Sequence, residues 1–198
     1  MLAPTTKLEA VNTMLSAIGD SPVNSLASGL VDAELAEKIL DATSREVQSK
    51  GWHFNREFKF RITPTAEGLI VLPTNCLKVD GIEQTADQDL VQRGNKLYNR
   101  RSHTFAINIS VEVDMVVLLD YEELPEAARN YIMVRAARIF QNRTVGSDTL
   151  NGFEVNDENV AWVELLDMEG ETADYTIFDN SSVQRVLDRN IGTSIKRG

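Results

Sequence analysis

Few residues in this chain have side chains suited to chemistry at neutral pH: there are two histidines and one cysteine among 198 residues. His53 lies in Gln-Ser-Lys-Gly-Trp-His-Phe-Asn, residues 48–55. A histidine base needs an orienting partner within hydrogen-bond reach, and this stretch holds no acid. Alternation sets His53 opposite Trp52 and Phe54, which reads as a solvent-facing strand residue. His103, in the polar run Arg-Arg-Ser-His-Thr-Phe, reads the same way. Fifty residues separate the two histidines, and Cys76 alone cannot build a zinc site, so no metal ligands are expected. Phosphate-binding and nucleophile-elbow motifs are missing. No catalytic residue and no cofactor is therefore assigned.

Carboxylates are the remaining candidates. Asp120, Glu122, Glu123 and Glu126 cluster together, and Asp157 and Glu158 are adjacent. A glycosidase needs two carboxyl groups about 5–9 Å apart across a cleft, so a glycan hydrolase working through paired carboxylates is the alternative reading. Acids at the starts of helices, where the helix dipole favours them, are the simpler account. Arg100-Arg101 reads as a solvated turn or an interface patch.

The formal net charge is −10. By segment it is −3 over 1–50, −1 over 51–121, −8 over 122–174 and +2 over 175–198. DNA-binding proteins rely on cationic footprints that release counterions, so sequence-specific DNA binding is not expected. No apolar run approaches the ~20 residues of a membrane span. The first ten residues lack the basic and apolar pattern of a secretory signal. A single cysteine fits a reducing compartment.

The elements that would carry these residues can be read from periodicity. Thr6-Lys7-Leu8-Glu9 has the spacing of a capping box, and Leu8, Val11, Leu15 and Ile18 then form one helical stripe closed by Gly19 and Pro22. Asp32 is expected to cap a second helix with Ala36, Leu40, Thr43 and Val47 inward, flanked by Leu35 and Ile39, ending at Gly51. Beyond Gly51 the period falls to two. Trp52, Phe54, Phe58, Phe60 and Ile62 predict a half-buried strand.

Further strands are expected at Gly-Leu-Ile-Val-Leu-Pro (68–73) and Cys-Leu-Lys-Val-Asp-Gly-Ile (76–82), with a hairpin turning at Gly94-Asn95. Apolar residues at every odd position from Phe105 to Leu119 predict one long strand, or two joined at Asp114. Pro125 is expected at the first position of a third helix that buries Ala128, Tyr131, Ile132, Arg135, Ala136, Ile139 and Phe140 and ends near Gly146. A fourth, over about 151–172, is expected to turn Val155, Trp162, Val163 and Leu166 inward. The fold class is thus α+β: a four-helix-type bundle (1–51 and 122–175), an inserted small antiparallel β domain (52–121) and a C-terminal tail (176–198).

Three stretches carry a family resemblance. They are Leu-Glu-Ala-Val-Asn-Thr-Met-Leu-Ser-Ala-Ile-Gly-Asp-Ser-Pro-Val-Asn-Ser-Leu (8–26), Gly-Trp-His-Phe-Asn (51–55) and Asp-Tyr-Glu-Glu-Leu-Pro (120–125), the last followed by an aromatic helix. In this order they resemble the tail tubular protein A family of short-tailed, podovirus-type bacteriophages over residues 8–175. Residues 63–105 and the tail depart from the family pattern.

The resemblance implies a structural protein of the virion tail, assembled in the host cytoplasm, with no cofactor and no membrane partner. It implies a head-to-tail adaptor ring, expected to be dodecameric, between the phage portal protein and the tail nozzle (tail tubular protein B). DNA would pass through it without sequence-specific binding. On this reading residues 48–55 form a junction, where Gly51 stops a helix and Trp52 and Phe54 fill the seam between helices and β domain. The basic tail is expected to dock on the portal through Arg185, Val186, Leu187, Arg189, Ile191, Lys196 and Arg197. The free subunit, acidic and self-repelling, is expected to be monomeric.

Overall fold

A computed structural model of the protein describes residues 4–82, 88–146 and 148–172. The expected tail, 176–198 with its seven docking candidates, lies outside the described residues. The described residues form an α+β fold with four α-helices, a three-stranded antiparallel sheet and a two-stranded hairpin.

Helix α1 spans Lys7–Ala17 and starts at the capping box. The Glu9 N–H donates to the Thr6 hydroxyl (3.2 Å), and the Thr6 N–H donates to the Glu9 carboxylate (2.8 Å). Two of the free donors at the helix start are thereby satisfied locally. Ala10, Val11, Met14 and Leu15 are buried. Helix α2 spans Val31–Gln48 and buries Ala36, Ile39, Leu40, Thr43 and Val47, whereas Leu35 stays exposed. Asp32 is not its cap: Leu30 holds that position without a side-chain bond, and Asp32 sits in the first turn, where its charge favours the dipole.

The strand expected from Trp52 begins later. Residues His53–Asn55 form a single 3-10 turn, and β1 runs Arg56–Ile62. Phe58 and Phe60 are not half-buried core residues but are 60% and 41% exposed. A bulge between Glu57 and Phe60 explains this, with Lys59 at φ 50° donating its N–H to Asp114 (2.7 Å). The inserted residue breaks the alternation on which the expectation rested.

Strand β2 (Cys76–Ile82) lies where its apolar run predicts. Strands β3 (Leu90–Arg93) and β4 (Lys96–Asn99) form the hairpin, turning at Gly94 with φ 62°. Residues 68–73 form only isolated bridges, Leu69 with Ala106 and Val71 with Lys96. The stretch 105–119 is neither one long strand nor two joined at Asp114. Strand β5 is Val111–Val117 with Asp114 inside it, and Asn108, at φ 59°, interrupts the chain before it. The sheet order is β1-β5-β2, which makes β5 the central strand and β1 an edge.

Helix α3 spans Glu126–Thr144, with Pro125 at the cap rather than in the first turn. It packs on α1, α2 and α4. Of its expected inward residues Ala128, Tyr131, Ile132, Ala136 and Phe140 are buried, while Arg135 and Ile139 are half-buried. Helix α4 spans Asp148–Thr172, and here the expected face is wrong. Ala161, Leu165 and Glu158 are buried and Trp162 is half-buried, but Val155, Val163 and Leu166 are 41%, 54% and 44% exposed. One apolar cluster occupies the helices and a second occupies the strands; Leu119 touches both.

Candidate assembly site

The stretch around Gly51 is built by side-chain amides. Gln48, fully buried at the end of α2, donates to the Leu119 carbonyl (3.0 Å) and accepts from the Leu119 N–H (2.8 Å). Asn55, 1% exposed, donates to the carbonyls of Gln48 (3.0 Å) and Val117 (2.9 Å) and accepts from the Trp52 N–H (2.8 Å). Buried backbone polar groups between elements must find such partners. Gly51 sits at φ 79°, and a Cβ there would lie 2.8 Å from Val116 Cγ2.

Trp52 is 6% exposed, within the helical cluster. Its indole N–H donates to Val47 O (2.8 Å), and its ring meets Trp162 edge-on at 5.5 Å and stacks with half-buried Phe54 at 6.3 Å. His53 is exposed; its backbone N–H donates to Glu169 (2.7 Å). His103 is exposed in a turn. Neither histidine is in a strand.

The other two motifs also resolve into structural bonds. In the first, Asn12 holds Val23 by its N–H (2.8 Å) and its carbonyl (3.0 Å), closing the loop after α1. In the third, Arg129 is buried and donates to the carbonyls of Leu124 (2.7 Å), Thr5 (2.9 Å) and Glu122. The Tyr121 hydroxyl donates to the Arg129 carbonyl (3.0 Å). Burial, with Glu126 nearby, pushes the Tyr121 phenol far above its ordinary value.

The acids of that cluster are similarly engaged. Glu126 accepts from the N–H (3.0 Å) and hydroxyl (2.5 Å) of Thr5, Glu122 from the Lys7 N–H (3.2 Å), and Glu123 from the Asp120 N–H (3.2 Å). A cleft of about 270 Å³ beside them is lined by Lys7, Asp41, Arg45, Asp120, Tyr121 and Glu122, and Lys7 bridges Asp41 (2.8 Å) and Glu37 (2.9 Å). Asp157 and Glu158 diverge. Asp157 is exposed, whereas Glu158 is clamped by Arg135 (2.6 Å) and Arg138 (2.5 Å), with Arg135 reaching on to Glu46 (2.7 Å). Burial opposes ionisation of Glu158, but the hydrogen bonds from the two arginines outweigh it and hold its pKa below the ordinary value. Among the described residues no group of three or more His, Cys, Asp or Glu is placed to hold a metal ion. Among the same residues no helix is long and apolar enough to cross a membrane.

What the described residues offer instead is exposed apolar surface. On α4, Val155, Val160, Val163 and Leu166 are exposed; on β1, Phe58 and Phe60; at the head of α2, Leu30, Val31 and Leu35. Exposed apolar patches mark interaction surfaces when they are contiguous, and a helix apolar on two sides has one side to spare. Gln48, Asn12 and Arg129 escaped the sequence reading as functional groups. Their signal was a polar residue on an otherwise inward helical face: Arg129 beside Ala128, Gln48 beside Val47.

Comparison with known proteins agrees with these motifs. A family model described as tail tubular protein matches residues 8–175. The tail tubular protein A of Klebsiella phage KP34 is 31% identical over 144 residues, covering 72% of this chain and 75% of that protein.

Proposed function

The chain belongs to the tail tubular protein family, structural parts of the bacteriophage tail, and from that premise we propose that it is the adaptor subunit between portal and nozzle. In this proposal twelve copies close a ring below the portal, the nozzle (tail tubular protein B) attaches beneath, and DNA passes through without sequence-specific contact. The four helices act as one bundle and the strands as an inserted domain, with Gly51, Trp52 and Phe54 at the junction. Assembly takes place in the host cytoplasm.

The observation that carries this reading is that every quoted motif builds the subunit rather than a reaction centre. Asn12, Gln48, Asn55 and Arg129 satisfy buried backbone groups, while the apolar residues left exposed lie elsewhere on the surface. A ring part needs this division. The fold must be stiff, and its side faces must be available for head-to-tail contacts. The hydrolase alternative draws no support, since Glu122, Glu126 and Glu158 each have a structural partner.

Mixing the protein with its portal and measuring the mass of the complex tests the proposal. A discrete multi-copy complex is expected; no binding overturns it. Deleting 176–198 tests the tail. The truncated protein should remain folded and lose portal binding, and undiminished binding would remove the tail from the docking role.

A further inference from the structure

Helix α4 carries two apolar faces. One packs on α3 through Ala161 and Leu165. At 100° per residue, Val155, Leu166, Asn159, Val163 and Asn156 fall within an arc of about 100° on another face, and no charged residue of 155–172 shares it. Elsewhere on the described exposed surface of α4 four acids, Asp157, Glu164, Asp167 and Glu171, flank Val160, and the helix has no Lys or Arg. Its natural partner is therefore apolar in the middle and basic at the rim.

The chain itself carries such a surface. Strand β1 reads Arg-Glu-Phe-Lys-Phe-Arg-Ile and is an edge of its sheet. Phe58 and Phe60 are exposed, as are Lys59 and Arg61, against the one acid Glu57. Aromatic anchors ringed by polar residues are the usual energetic centre of a protein interface. The strand is also long enough to lie along the stripe. Val155 to Leu166 covers about 16 Å of helix, and seven strand residues cover about 23 Å. Both are exposed among the described residues, so β1 of the same subunit does not cover the α4 stripe.

We propose that the outward face of α4 (Val155, Val163, Leu166) docks on β1 (Phe58, Lys59, Phe60, Arg61) of a second copy of this chain. Complementary surfaces at different places on one chain are what a head-to-tail contact requires, and opposite charges at the rim set its register. This rests on the ring reading above, for which it names the side faces.

The test places a photo-crosslinking amino acid at Val163 in the full-length protein, with isotopically light and heavy copies mixed, both concentrated alone and bound to portal. Mixed-isotope crosslinks to peptides containing residues 57–61 are expected. Crosslinks elsewhere, or none between copies in either preparation, overturn the proposal. In parallel, Lys59→Glu with Arg61→Glu should weaken association between copies about ten-fold or more, and Glu164→Lys with Asp167→Lys added should restore it. Equal association of all three proteins also overturns it. Portal binding by the wild type is read separately, so a failed adaptor reading and a failed interface give different results.

Discussion

Gln48 and Leu119, seventy-one residues apart, exchange two hydrogen bonds: the side-chain amide of Gln48 both donates to and accepts from the Leu119 backbone. That pair ties the end of α2 to the segment leaving β5. It stands where the helical and strand clusters meet, since Leu119 touches both. Replacing Gln48 by Leu keeps the volume and removes both bonds. The half-buried N–H and carbonyl of Leu119 would lose these partners, at about 1–3 kcal/mol each. Urea unfolding should show a loss of about 2–6 kcal/mol, and a midpoint within error of wild type would refute the clasp.

Trp52→Ala removes a buried ring that contacts Trp162 and Phe54. It should cost about 3–5 kcal/mol by the same measurement. His53→Ala, one residue on and exposed, should leave the midpoint where it is, because the bond to Glu169 comes from the backbone. Equal losses from both substitutions would contradict the assigned packing.

Gly51→Ala and Gly19→Ala separate backbone strain from crowding. Both glycines have φ near 80°, but a Cβ at Gly19 meets nothing within 4 Å, whereas at Gly51 it lies 2.8 Å from Val116 Cγ2. Strain in this region costs about 1–2 kcal/mol. Gly51→Ala should therefore lose more stability than Gly19→Ala in thermal unfolding, and equal losses would mean that Val116 yields freely.

The Glu158 clamp predicts a pH dependence. Its folded pKa lies below the ordinary 4.5, held there by Arg138 and Arg135 against the cost of burial. Its contribution to stability is therefore complete above the unfolded value and is lost as pH falls through the folded one. Glu158→Gln should be less stable than wild type at neutral pH, and the gap should narrow as the solution is acidified below about 4.5. A gap that stays constant down to acid pH would exclude the ionised clamp.

Local chemistry along the chain decides several features of the fold. The capping box at Thr6 and Glu9, the stop at Gly19, the turn at Gly94 and the apolar run of β2 involve neighbours a few residues apart, so their signals are complete within a short window. The family, too, was legible, because its three motifs are contiguous stretches. Tertiary structure alone decided which face of α4 turns inward. That helix has apolar residues on two sides, and the choice is made by Arg135 and Arg138 on α3 holding Glu158 and by Trp162 meeting Trp52, contacts between segments far apart in the chain. It also decided the fate of Phe58 and Phe60. Alternation assigns them to a core, but the bulge at Lys59, fixed by Asp114 of the neighbouring strand, leaves both rings exposed. Periodicity records which residues are apolar; burial depends on which partner arrives.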